Sequence, residues 1–129
     1  MRTPLSRPFL LLCGLLYLGF GLAVLLAPEP AQVFAGIPPA GILNDFEGTH
    51  GGINAALGLF LLHAAFSGPW HRPGLLLVAL VNGGYLAGRL IELMIGGPLS
   101  AAVLAVMALE AALCGLALSL AYPRRTAAA

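Results

Sequence analysis

The chain has 129 residues, of which 60% are apolar and only 9% are charged. That balance excludes intrinsic disorder, and it excludes an ordinary soluble domain, in which about a quarter of residues are charged. The formal net charge is +1, from six Arg, no Lys and five acids, which excludes a nucleic-acid-binding footprint.

A bilayer core about 30 Å thick is crossed by a helix of roughly 20 mostly apolar residues. Residues 8–27 form a first such stretch, without a charge. Arg2 and Arg7 ahead of it resemble the n-region of a signal peptide, but the apolar run is longer than the usual stretch of about 7–15 residues and reads as a span. The following connection holds Pro28, Pro30, Pro38 and Pro39 and cannot be one helix. Within it, Pro30 to Ala35 is expected to make one interfacial turn, with Val33 and Phe34 toward lipid. Residues 46–66 form a second span, interrupted by Glu47, His50, Asn54 and His63. Asn44 with Glu47 resembles a capping box at its start.

His71-Arg72-Pro73 reads as a loop, with Pro73 opening a third span over residues 73–95 that carries Asn82, Arg89 and Glu92. Gly96-Gly97-Pro98 makes the next turn. Pro98 opens a fourth span over residues 98–121, in which Glu110 is the sole charge. The Ala-rich tail, residues 124–129, is expected to be disordered. The alternating ten-residue pattern of a β-barrel is absent. Short connections force antiparallel neighbours, so the expected fold is all-α: one membrane domain over residues 1–129, with four transmembrane helices in an up-down-up-down bundle.

Four spans put both termini on one side, together with the loop between spans two and three. That side collects Arg2, Arg7, Arg72, Arg124 and Arg125, whereas the opposite loops carry Glu29 and Asp45. The positive-inside rule makes both termini cytoplasmic, and Trp70 and Tyr122 fall at interfacial depth. Cys13 and Cys114 lie inside spans one and four without a CxxC pair and read as packing residues. Ligand count and spacing give no metal site, and no cofactor is expected.

Polar groups at membrane depth carry the most information, because a charge at the bilayer centre costs at least about 2.5–3.5 kcal/mol. Glu47, His50 and Asn54 share one face of span two, and Asn82, Tyr85, Arg89 and Glu92 share one face of span three. At 1.5 Å per residue, His50 and Arg89 come to similar depth below the outer boundary; Asn54 and Tyr85 lie a turn deeper; Asn82, Glu110 and Tyr17 come near the midplane. These residues predict a polar pocket in the outer half of the bundle, with the cytoplasmic half holding only His63, near its edge. Plainer roles are open for several of them. Glu47 serves as a capping carboxylate, Arg89 and Glu92 as an i, i+3 ion pair, Asn54 and Asn82 as interhelical hydrogen-bond glue, and His63 as a snorkelling side chain. Glu110, alone on an apolar helix, stays neutral unless Arg89 or water reaches it.

Small residues mark close packing. Gly84 and Gly88 form a GxxxG pair, and Gly51 and Ala55 have the same spacing. Ala101, Ala105, Ala108, Ala112 and Gly115 make a straight seam on span four, pointing nearly opposite Glu110. If Glu110 faces the interior, the seam faces outward, where a second copy of the chain or a partner helix is its natural neighbour.

The order of these features resembles a bacterial four-helix membrane family catalogued as domain-of-unknown-function family 4345. The matching segments are Asn44-Asp45, Gly51-Gly52, Leu57-Gly58-Leu59-Phe60, Ala87-Gly88-Arg89, Gly97-Pro98 and Glu110, and the likeness runs from about Leu5 to Ala121. In that family a basic residue commonly follows the Asn-Asp pair; here the stretch reads Phe46-Glu47-Gly48-Thr49-His50. The resemblance implies the four-helix architecture in a bacterial cytoplasmic membrane, and supplies no activity.

Three functions fit the residues. The first is cofactor-independent acid–base chemistry, isomerase- or cyclase-like, on a lipophilic small molecule, or binding of such a molecule. Glu110 donates a proton and His50, with Glu47 one turn away, accepts it, or Glu47 is the base and His50 the acid. Arg89 holds an oxyanion or an anionic headgroup, the tyrosines Tyr17 and Tyr85 orient a hydroxyl, and Asn54, Asn82 and Glu92 complete the polar lining. The second is a non-enzymatic accessory or assembly subunit, with the polar residues as glue. The third, transport of protons or a small solute, fits least, because the polar groups do not continue to the cytoplasmic side.

Overall fold

The computed structural model describes residues 4–30 and 47–122, and the regular elements bounded among them are all helical. Helix α1 is Ser6–Leu26. Helix α2 is Ile53–Phe66, preceded without a break by a π-helical segment, Glu47–Gly52. Helix α3 is Gly68–Met94 and α4 is Ala101–Ala121. Asn44, Asp45, the expected interfacial turn and the Ala-rich tail lie outside the described residues.

The π-helical segment has a sequence cause. Three of the six residues in Glu-Gly-Thr-His-Gly-Gly are glycine, which holds an α-helix poorly. The side-chain amide of Asn54 donates to the carbonyl of His50 at 2.6 Å, taking the acceptor that an α-helix would offer to the backbone N–H of Asn54.

Helix α3 begins five residues earlier than the proline pattern implies. His71-Arg72-Pro73 is helical rather than a loop, and Ser67 alone, in an extended conformation, links α2 to α3. Pro69 sits in the first turn, where its fixed φ favours a helix start; Pro73 lies inside the helix and removes one hydrogen bond near its end. The start of α4 is also set by a different residue than expected. Ser100 caps it, its hydroxyl accepting from the Val103 N–H at 3.2 Å, and Pro98 lies ahead of the helix. Between α3 and α4, Gly96 has φ +93°, and the N–H groups of Gly96 and Gly97 close on the carbonyls of Leu93 and Glu92. This is the glycine-terminated helix end in which only glycine avoids Cβ strain.

Helices α1 and α2 pack closely and in opposite chain directions: Gly14 meets Leu62, Leu18 meets Gly58, and Gly21 meets Ala55. A Cβ at Gly21 or Gly58 would land on backbone of the opposing helix, so glycine is required at both positions for this approach. The Gly51/Ala55 spacing does serve close packing, Gly51 lying on Val24 and Leu25. Gly84 and Gly88 do not: a Cβ at either meets nothing within 4 Å. Helix α4 lies antiparallel on α3, where Arg72 meets Tyr122, Gly83 meets Cys114 and Arg89 meets Glu110.

The apolar core gathers toward one end, built from Phe9, Leu10, Cys13, Leu61, Ala64, Ala65, Leu75, Val78, Ala79, Ala117 and Ala121. The same end carries two cations on aromatic faces: Arg7 over Phe66 and Arg72 over Tyr122, each 4.5 Å from the ring centroid. Helices α1, α3 and α4, of 21, 27 and 21 residues, are long and apolar enough to cross a membrane. A third or less of each is buried within the protein. Their outward leucines, including Leu12, Leu16, Leu80, Leu104 and Leu109, are exposed, as hydrocarbon rather than water would favour.

Candidate functional site

Helix α3 carries Val78, Asn82, Tyr85 and Arg89 along one face. Asn82 is buried, and its amide donates to the Val78 carbonyl at 2.8 Å and to the Tyr17 hydroxyl at 3.0 Å. Asn82 is therefore interhelical glue to α1 as well as a tie to its own backbone. Because Tyr17 accepts that bond, its own O–H is left to donate elsewhere. Tyr17 also lies near Tyr85 and Glu110.

Two turns beyond Asn82 on α3, Arg89 reaches across to α4. Its Nε–H is shared between both carboxylate oxygens of Glu110, at 3.1 and 3.2 Å. The carboxylate side chain is 8% exposed and the guanidinium side chain 36%. Glu110 is thus not a lone acid in apolar surroundings; Arg89 reaches it. The i, i+3 partner Glu92 is not the one Arg89 uses. Glu92 is exposed beside Gly97 at the end of α3, where water solvates it, whereas Glu110 offers two oxygens in a low-dielectric contact. Bonding through Nε leaves the two Nη groups, four N–H donors, without a partner among the described residues.

Near that fork Tyr85 is 43% exposed, and a Cβ at Gly84 or Gly88 would meet nothing within 4 Å. Contacts that tie the α1–α2 pair to the α3–α4 pair include Ser6–His71, Ala64–Gly74 and Tyr17–Asn82. The His71–Ala64 hydrogen bond and the Phe60–Trp70 ring contact also join the pairs, whereas among the described residues Tyr85, Arg89 and Glu110 make no hydrogen bond, ion pair or ring contact to α1 or α2. Tyr17, Asn82, Tyr85, Arg89 and Glu110 thus gather on α1, α3 and α4.

The remaining predicted residues have other partners. Glu47 begins the π-helical segment half-buried, and the segment packs on α1. The His50 imidazole Nδ1 and the Thr49 hydroxyl share a 2.9 Å hydrogen bond. Asn54 is buried and spent on the His50 carbonyl, so it satisfies its own helix rather than a neighbouring one. Neither Arg89 nor Glu110 bonds to Glu47, His50 or Asn54. The nine candidate residues therefore fall into two groups: Tyr17, Asn82, Tyr85, Arg89 and Glu110 in one, and Glu47, His50 and Asn54 in the other, with Glu92 outside both.

A third polar contact escaped the sequence reading. His71 is buried; its Nε2 lies 2.7 Å from the Ser6 hydroxyl and its Nδ1 3.2 Å from the Ala64 carbonyl. The core end is not apolar apart from His63, which is exposed. Assigning residues 71–73 to a loop hid this pair. The signal was present: Ser6–His71 and Tyr17–Asn82 are both 65 residues apart in sequence, and each partner lies 11 residues from its counterpart on the same helix. Both bonds thus belong to one register of α1 beside α3. Among the described residues, no three His, Cys, Asp or Glu side chains gather as a metal site, and Cys13 and Cys114 are free thiols.

The family model described as "Domain of unknown function (DUF4345)" matches residues 5–121, and the chain belongs to that family. No curated protein and no solved structure matches it.

Proposed function

Starting from membership in a family without an assigned activity, we propose that this protein is a small multi-pass membrane protein that binds a lipophilic molecule at the cluster of Tyr17, Asn82, Tyr85, Arg89 and Glu110. The observation that carries the proposal is the Arg89 guanidinium, anchored at Nε by a buried carboxylate, with its Nη donors unpartnered among the described residues. A polar group is kept at such depth only when it is paired or useful, and pairing uses one of the five N–H donors.

The membrane reading extends to four spans. The π-helical segment and α2 together run without interruption from Glu47 to Phe66, comparable in length with α1, and the antiparallel contacts above fit an up-down-up-down bundle. Arg7 and Arg72 share one end, which supports cytoplasmic termini in a bacterial inner membrane. Binding is better supported than isomerase- or cyclase-like chemistry. Glu110 is held by Arg89, and the imidazole that would exchange protons with it belongs to the separate group on the π-helical segment.

Native mass spectrometry of the gently purified protein tests the proposal. The expected result is one retained apolar molecule per chain, lost in Arg89→Gln. Retention of nothing by the native chain, or undiminished retention by the variant, overturns it.

A second reading, an assembling subunit, draws on the seam of α4. Ala101, Ala105, Ala108, Ala112 and Gly115 are all exposed, while Glu110 on the opposite side is buried. We propose that this seam seats a second copy or a partner helix, as small residues do in membranes.

A further inference from the structure

The pairing of Arg89 with Glu110 bears on which chemical class of ligand the cluster takes, and this step rests on the binding reading just given. A bare guanidinium in hydrocarbon selects an anion, because an opposite charge is the cheapest way to keep it there. Here the opposite charge is already built in. Nε–H spans both oxygens of Glu110 at 3.1 and 3.2 Å, and the carboxylate is buried, so the pair is neutral as a unit. A second carboxylate or phosphate on the Nη groups would bring a net negative charge to a place with little water, and would sit close to the Glu110 carboxylate.

The donors themselves are not neutralised. The Nη N–H groups remain strong, charge-assisted hydrogen-bond donors. Other groups of the cluster also donate. The Tyr17 O–H is free to do so because its oxygen accepts from Asn82, and the Tyr85 phenol, one turn from Arg89 on the same face, is 43% exposed. Both N–H groups of the Asn82 amide are occupied, by Tyr17 and by the Val78 carbonyl. The strongest free donors of the cluster are thus the Arg89 Nη groups, with the Tyr85 phenol on the same helix face, and the net charge of the Arg89–Glu110 pair is already balanced.

We infer that the ligand is a neutral apolar molecule carrying an acceptor oxygen of the carbonyl type, such as a ketone or quinone, bound by the Arg89 Nη fork and the Tyr85 hydroxyl, and that Glu110 sets this preference by cancelling the charge of Arg89. Glu110 acts through Arg89 and is a selectivity residue, not a contact to the ligand.

Three twelve-carbon probes that differ only in the head test the inference: dodecan-2-one, dodecanoate and dodecane. Each is added at equal concentration to the full-length protein in mild detergent. Native mass spectrometry reads the fraction of protein carrying one copy. The native chain is expected to retain the ketone roughly tenfold more strongly than dodecanoate, and dodecane least, a gap of about 1.4 kcal/mol. In Glu110→Gln the order of ketone and dodecanoate reverses, because the shape is kept and the cancelling charge is gone. Dodecanoate preferred by the native chain, or an unchanged order in Glu110→Gln, overturns the inference and leaves the binding reading standing. Retention of none of the three removes both. If Glu110→Gln does not assemble, the probe order on the native chain and its weakening for the ketone in Tyr85→Phe decide; a native order without that weakening also overturns the inference.

Discussion

Replacing Arg89 by Met leaves the Glu110 carboxylate buried with nothing to bond it. Removing one partner of a buried ion pair costs about 3–5 kcal/mol when both groups are fully desolvated. Here the guanidinium side chain is 36% exposed, so the pair is partly solvated, which lowers the expected loss to about 2–3 kcal/mol. The reverse change, Glu110→Leu, orphans a group that is already partly exposed, and is expected to cost about 1 kcal/mol or less. The double replacement Arg89→Met/Glu110→Leu removes both charges and leaves apolar side chains of similar size between α3 and α4. It is expected to lie within about 1 kcal/mol of the native chain. The singles are thus unequal and strongly non-additive, with a coupling of about 1.5–3 kcal/mol. Reversible unfolding of the micelle-solubilised protein by an anionic detergent, followed by helical circular dichroism, measures all four corners of the cycle. Equal single losses that sum to the double loss, with coupling below about 0.5 kcal/mol, would refute the argument that one desolvated carboxylate depends on one guanidinium.

Two further expectations use the same material. Gly58→Leu should cost about 2–3 kcal/mol or prevent assembly, because its side chain enters the backbone of α1 at Leu18, whereas Gly88→Ala should be neutral or stabilising by up to about 1 kcal/mol. Equal losses at the two sites would show that α1 and α2 do not approach as closely as Gly58 and Leu18 indicate. Ala108→Phe, on the exposed seam of α4, should disperse the assembled protein in mild detergent without unfolding it, and an unchanged size in light scattering removes the proposed helix–helix contact there.

The amino-acid sequence by itself determines that these helices live in hydrocarbon and that their polar residues share faces. Apolar length follows from composition alone, and the spacing that aligns Asn82, Tyr85 and Arg89 follows from the helical repeat. The orientation of Glu110 away from the alanine seam was legible for the same reason, since two residues on one helix keep a fixed angle whatever the neighbours do. Where helices start was less legible. Proline marks a favourable first turn at several positions, and the choice of Pro69 over Pro73, or of the Ser100 cap over Pro98, depends on small differences in local free energy.

Partner choice belonged to the tertiary structure. Arg89 had Glu92 one turn away on its own helix and Glu110 on another, and only the seating of α4 on α3 put the second within reach. The helical rise implies a similar depth for His50 and Arg89, but depth does not give direction around the bundle axis. The close fit of Gly21 and Gly58 against α2 and α1 seats the π-helical segment on α1, while Glu110 bonds to Arg89 and not to His50. A single helix fixes its own faces through covalent geometry; which face meets which is decided by packing between residues far apart in the chain, where no local repeat carries the information.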